Sequence, residues 1–340
     1  MQYTTDMEKI MTSKHYQLSP PLTRRAVGLL AVACSLMCFG IAAETPQKPC
    51  VDIEKIGTID LDLVETTPVV FKDKVYRFEY VRKNYWDNNT GDSYFRFIDH
   101  ETGVPTPAFA RGYHLGSAAV DGDRVIVTAV DIWDGEKIDV FVSRDLENWD
   151  AWNALTLPGY GLFNTSLCRA EDEYVLMFEV GKPPEVAGHR FTARFATSKD
   201  LKEWTLTAPE CTYDKGRYTA PHCLRYHDGY YYNFFLEATG EGYEQYVVRS
   251  KALIDWEPSP CNPVLRASEA DKQIANPRLS PAQRDRIREA KNINNSDFDY
   301  CEYKGELIIN YSWGNQQGVE HLAEARYAGT ESAFLKALFP

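Results

Sequence analysis

Four acidic residues each close a strongly apolar stretch. Tyr76-Arg77-Phe78 runs into Glu79, Leu176-Met177-Phe178 into Glu179 and Phe234-Phe235-Leu236 into Glu237, and a similar stretch ends at Asp131. The polar starts of other apolar segments add Glu65, His114, Asn164, His222, Asp297 and Asp299. Carboxyl groups gathered in this way can work on a glycosidic bond. One must hold a proton for the leaving oxygen. Another must be ionised, to activate water or to attack the anomeric carbon. Burial and neighbouring like charges raise one pKa and so divide the labour. Glu79, Glu179, Glu237 and Asp297 are the candidate catalytic acids. His114, Asp131, Asn164, His222, Asp299 and Trp313 are candidate substrate-binding residues, with Trp313 offering an aromatic face. For any one acid, a solvated strand end or a structural ion pair is the competing explanation. His114, His222 and Asp297 show no metal-ligand spacing, so neither metal nor other cofactor is expected.

Residues this far apart in sequence converge only if repeating elements position them. Ser143-Arg144-Asp145-Leu146-Glu147-Asn148-Trp149 recurs as Ser198-Lys199-Asp200-Leu201-Lys202-Glu203-Trp204. A degenerate copy is Ser250-Lys251-Ala252-Leu253-Ile254-Asp255-Trp256. Each follows an alternating strand pattern, and each Trp is expected to pack between sheets. Polar hairpin turns mark the same units, around Asp73, Gly122, Asp172, Asp228 and Lys304. The period is about 50 residues once an insertion before the last unit is set aside. In that insertion Ser280-Pro281-Ala282-Gln283 is a capping box, which predicts a helix over residues 284–291.

Five such units of short strands predict an all-β fold, a five-bladed β-propeller with a short helical insertion before the last blade. Residues 56–64 would supply the outer strand that joins the last blade to the first. First strands begin, and second strands end, at one mouth of the axial channel. The candidate residues therefore meet there.

Ahead of the repeats, Arg24 and Arg25 precede an uncharged apolar run over residues 26–43, which ends Ala42-Ala43 before Glu44. This order describes a signal peptide over residues 1–43, with residues 44–340 as one exported propeller domain and no stable membrane span after processing. An uncleaved anchor is the alternative. Thr23-Arg24-Arg25 is a weak twin-arginine signal. Six cysteines remain after residue 43, either as disulfides or as buried thiols. The chain carries 37 Lys+Arg against 49 Asp+Glu, a formal charge of −12, which argues against a nucleic-acid partner. The 21 Tyr, 16 Phe and 7 Trp suit both a β core and a carbohydrate partner.

The pattern resembles the five-bladed propeller glycosidases, the grouping of arabinanases, xylosidases, invertases and levansucrases that includes glycoside hydrolase families 43 and 32. The resemblance spans residues 65–327. Its carriers are the Ser-x-Asp-Leu-x-x-Trp repeats, Tyr226-His227-Asp228-Gly229-Tyr230-Tyr231-Tyr232 and Asn294-Asn295-Ser296-Asp297-Phe298-Asp299-Tyr300-Cys301-Glu302. It implies a glycosidase acting on a poly- or oligosaccharide. Family 43 usually places acids where Thr67-Pro68, Asn164 and Thr219-Ala220-Pro221 stand here. Its catalytic residues therefore do not carry over. Either the acids have moved to Glu79, Glu179, Glu237 and Asp297, or the chain is a non-catalytic carbohydrate-binding propeller.

Overall fold

The structure is a computed structural model that describes residues 50–340. The expected leader over residues 1–43 lies outside the described residues. Strand β1 (Glu54–Leu61) comes first and joins the last sheet. One three-stranded sheet holds β2 (Thr67–Phe71), β3 (Lys74–Val81) and β4 (Tyr94–Asp99). A four-stranded sheet holds β5 (His114–Asp121), β6 (Arg124–Val130), β7 (Lys137–Ser143) and β8 (Asp150–Thr156). A five-stranded sheet holds β9 (Gly161–Ala170), β10 (Glu173–Lys182), β11 (Thr192–Ser198), β12 (Thr205–Leu206) and β13 (Thr212–Tyr213).

The largest sheet joins two antiparallel runs. One is β14 (His222–His227), β15 (Tyr230–Ala238), β16 (Tyr243–Ser250) and β17 (Glu257–Pro258). The other is β18 (Asn294–Tyr303), β19 (Glu306–Gly314) and β20 (Glu320–Tyr327), with β1 on its outside. A single parallel pair, Tyr243 with Asn294, connects them. None of these sheets closes on itself. Instead the first strands pack in sequence: β2 on β5, β5 on β9, β9 on β14, β14 on β18, and β18 back on β2.

Local chemistry explains the hairpins. Lys72-Asp73, Asp228-Gly229 and Lys304-Gly305 are two-residue loops with both residues at positive φ. That geometry follows the twist of the flanking strands and favours Asp and Gly. The Ser-x-Asp-Leu turns are equally local. In the first copy the Ser143 hydroxyl accepts from the Leu146 amide at 2.8 Å, and the Asp145 carboxylate accepts from the amides of Glu147 and Asn148. Ser198 and Asp200 repeat this. The turn forces its Leu to positive φ, 66° at Leu146 and 68° at Leu201, while burying the side chain. The Trp then packs across sheets: Trp149 stacks on Phe109 at 3.8 Å, and Trp256 lies against Phe195 and Tyr213.

β1 pairs antiparallel with β20, as the outer strand expected for residues 56–64, displaced toward the N-terminus. The helix of the insertion is α2 (Pro281–Glu289), after the single turn α1 (Pro184–Ala187). Its capping box is formed by Ser280 and Gln283. A C-terminal helix, α3 (Glu331–Leu338), was not expected. It buries Phe334, Leu335 and Leu338 against Phe234, Phe298 and Tyr300. Cys50 and Cys261 form a disulfide, whereas Cys168 and Cys223 are buried thiols. Among the described residues no helix is long and apolar enough to cross a membrane.

Candidate active site

One cavity of about 410 Å³, including the open space at its mouth, lies where the first strands begin. Its lining comes from each of them: Glu65 to Thr67 leading into β2, Leu115 to Ser117 on β5, Asn164 to Ser166 on β9, Pro221 to Cys223 at β14, and Asp297 to Asp299 on β18. Strand register alone would not turn these side chains inward. Pairing slips between His114 and Ser117, between Phe178 and Val180, and between Ser296 and Asp299. Such bulges bend a strand and re-aim a side chain. Glu65, Leu115 and Asp297 stand at φ of 51°, 52° and 52°, a left-handed conformation that costs about 1 kcal/mol or more in a non-glycine residue.

The cavity collects acid. Burial pushes Glu65 up to about 8; Arg82 opposes this, while Asp297 and Glu179 add to it. Burial also raises Asp297, opposed by the Ser296 hydroxyl, which donates to it at 2.6 Å, and by the Arg82 charge. Burial lifts Glu179 well above the ordinary carboxyl range, and the nearby Asp297 charge adds to it. Glu320 is pushed up to about 8 by burial, with Asp297 and Glu65 contributing. The cation facing this group is Arg82, whose Nη1 lies 3.6 Å from Glu65. Asn88 accepts from that same nitrogen at 2.6 Å, and the rings of Tyr80 and Tyr85 flank the guanidinium at 4.7 and 5.1 Å.

His222 is held neutral, its pKa lowered to about 3 by burial. Its Nδ1 lies 2.9 Å from Glu179 Oε1 and its amide donates to the same oxygen at 3.1 Å. Its Nε2 lies 3.0 Å from the Thr219 hydroxyl. Glu179 Oε2, Glu65 Oε2 and Asn164 Oδ1 are buried oxygens with no hydrogen-bond partner. Buried polar atoms left unpaired are costly, and a bound ligand is one way of supplying the missing partner.

The structure thus brings together Asn164, His222, Asp297 and Asp299 at the cavity, with Glu179 bonded to His222. Asp299 is committed to an ion pair with Arg225. His114 sits behind Arg82, bonded to Tyr80 at 2.6 Å and lowered to about 4 by burial.

The remaining candidates lie elsewhere. Glu79 is fully buried between Arg77 and Arg96, at 2.5 and 2.8 Å, and Arg77 reaches on to Asp60 of β1. It occupies the seam with the outer strand of the last sheet. Glu79 and Glu179 hold matching places in sequence, but only Glu179 falls at a bulge. Glu237 pairs with Arg217 at 2.8 Å. Asp131, raised by burial, lies at the start of the loop between β6 and β7, outside the cavity lining. Trp313 has no exposed surface: its indole donates to Thr58 at 2.9 Å and its ring meets His321 edge-on. A ring without an exposed face stacks on no ligand, so Trp313 is a packing residue. Glu65 was legible as a first-strand start but not as a principal acid. Arg82, Tyr85 and Glu320 carried no sequence signal beyond their polarity.

No family model and no curated protein sequence matches the chain. Solved structures do. An α-L-arabinofuranosidase from Podospora anserina, in complex with cellotriose, aligns at TM-score 0.58 and 7% identity over 83% of this chain and 98% of that one. The catalytic domain of a family 62 α-L-arabinofuranosidase from Coprinopsis cinerea aligns at 0.56 and 9%, over 82% and 98%. A family 43 enzyme from Xanthomonas citri aligns at 0.50 and 13%, over 83% and 92%. The chain is therefore similar, over most of its length, to the propeller glycoside hydrolases of families 43 and 62, and it shares their fold.

Proposed function

We propose that this chain is an exported five-bladed β-propeller glycoside hydrolase, with Glu65 and Asp297 as its working acid pair. The observation that carries the reading is the cavity itself, where two half-buried carboxyls, distant in sequence, face one another's charge. Glu65, near 8, holds its proton at neutral pH and can give it to the leaving oxygen as the glycosidic bond breaks. Asp297 is also raised by burial, but the Ser296 hydroxyl donates to it at 2.6 Å and Arg82 opposes the shift, so of the two it is assigned the ionised role. It takes a proton from the water that adds to the anomeric carbon, or attacks that carbon itself. Glu179 on β10 and His222 on β14 are bonded to one another nearby, and the Glu179 charge acts on Glu65.

The similar structures bear names that include arabinofuranosidase and xylanase, and one is complexed with xylotriose. Arabino- and xylo-oligosaccharides are therefore the first panel. Glu65→Gln and Asp297→Asn keep shape and hydrogen bonding but remove ionisation. Each is expected to lower turnover of a cleaved glycan by about 10²-fold or more. Full activity in both variants would reject the assignment.

A second reading, a non-catalytic carbohydrate-binding propeller, draws on uncharged Thr67, Asn164 and Thr219 at the places the resemblance reserves for acids. Glycan binding without cleavage would select it. Export rests on the leader over residues 1–43, and the Cys50–Cys261 disulfide suits an oxidising compartment. Secreted protein is expected to begin near Glu44 on N-terminal sequencing. Material still carrying Arg24 and Arg25 would reject cleavage.

A further inference from the structure

We infer that Trp86 forms a second sugar-binding subsite on the rim of the cavity and gives the site a preference for chains over single sugars. The inference rests on the glycan reading above. The protein has 7 tryptophans, all within the described residues. Six are buried or half-buried in packing between strands and sheets; Trp86 alone is exposed, at 42%. A large ring left open to water offers a flat apolar face on which a sugar can stack.

Its position follows from the chain. Trp86 lies in the segment between β3 and β4, and β3 ends at the mouth where the first strands begin. A continuous series of side chains leads from the acid to the indole. Glu65 meets Arg82 at 3.6 Å, Arg82 lies over the Tyr85 ring at 5.1 Å, and Tyr85 meets Trp86 edge-on at 4.7 Å. Tyr85 is itself within the field of Glu65, Asp297 and Glu320. The indole is thus linked to Glu65 through two side chains and lies outside the residues that line the cavity.

The ring is also held. Gly318, at φ 91°, passes so close that a Cβ there would come within 3.0 Å of the indole nitrogen. That glycine belongs to the β19–β20 turn, which Glu320 fixes by accepting from the Gln316 amide at 2.5 Å and from Asn294 at 2.9 Å. On the other side, the Trp133 amide donates to the Asn88 carbonyl at 3.1 Å. This ties the segment to the β6–β7 loop, where Ile132 is 41% exposed. A braced aromatic ring loses little freedom on binding, which favours contact with the apolar face of a pyranose or furanose. The ring in the cavity and the ring on Trp86 would be consecutive units of one oligosaccharide.

The test is titration calorimetry of the full chain with arabino-, xylo- and cello-oligosaccharides of increasing length, on native protein, Trp86→Ala and Trp86→Phe. Native affinity is expected to rise on going from the single sugar to the short oligomer. Trp86→Ala should lose about tenfold on the oligomer, the scale of one aromatic contact, and little on the single sugar. Trp86→Phe should recover most of the loss, with the melting temperature unchanged in both variants. The same length dependence in native protein and Trp86→Ala would overturn the subsite while leaving the glycan reading intact. Absence of binding by the native protein to every sugar in the ladder would overturn the glycan reading and the subsite together.

Discussion

Arg82 opposes the effect of burial on the acids it faces. Glu65, Glu179, Asp297 and Glu320 feel one another's charge, and the guanidinium acts on Glu65 and Asp297. Burial raises all four, and Arg82 pulls Glu65 back down. A general acid near 8 is protonated below that pH and loses its proton above it. The catalytic rate, or the affinity that depends on the protonated carboxyl, should fall as pH rises through about 8. Arg82→Met removes the opposing charge, so the Glu65 titration should move to higher pH. Carboxyl titration by NMR on labelled protein checks this without a substrate. An unmoved or lowered midpoint would show that Arg82 does not govern Glu65.

At the scale of elements, the site depends on how the outer strand β1 is fastened. Lys55 of β1 donates to Asp271 of the insertion at 2.6 Å, and the Asp271 side chain is wholly buried. The same carboxylate accepts from Tyr311 at 2.8 Å, from Asn292 at 2.8 Å and from the Ser268 amide at 2.8 Å. Removing one partner of a buried pair leaves the other charge uncompensated. Lys55→Met is expected to cost about 3 kcal/mol in urea unfolding. Adding Asp271→Asn should recover part of that loss. A single variant within about 0.5 kcal/mol of native would show the pair to be dispensable. The elements differ in how far they were legible. The Ser-x-Asp-Leu-x-x-Trp turns and the capping box at Ser280 are satisfied by bonds within a few residues, so their spacing announces them. The bulges at Leu115, Glu179 and Asp297 are set by pairing with a distant strand, and nothing local marks them.

For the whole molecule, stability carries the imprint of these buried groups. Glu65 and Glu320 move from 4.5 to about 8 on folding. Their contribution is complete below 4.5 and is lost as pH rises toward 8. His114, His222 and His321 move from 6.5 to about 4, 3 and 4. Their contribution is complete above 6.5 and is lost as pH falls toward 4. Above 6.5 the carboxyls act alone, so the melting temperature should fall between pH 6.5 and pH 8. Glu320→Gln keeps an acceptor for the Gln316 amide and should flatten that slope. An equal slope in the variant would show that Glu320 is not held protonated.

The sequence by itself determined the periodic features of this protein: its β character, the repeated turns and hairpins, the inserted helix, and the arrival of Asn164, His222 and Asp297 at strand starts that meet. Each follows from side-chain alternation or from hydrogen bonds closed within a few residues. Only the tertiary structure decided which acids serve the cavity and which serve the frame. Glu79 and Glu237 read like Glu179, yet the arginines beside them come from Arg77, Arg96 and Arg217, whose approach depends on register and packing. Trp313 reads like any strand-end tryptophan, and only the closure of β1 over it buries its ring and gives its indole the Thr58 hydroxyl. A carboxyl's role depends on the charges and solvent that surround it, and those are decided by how the strands register and pack.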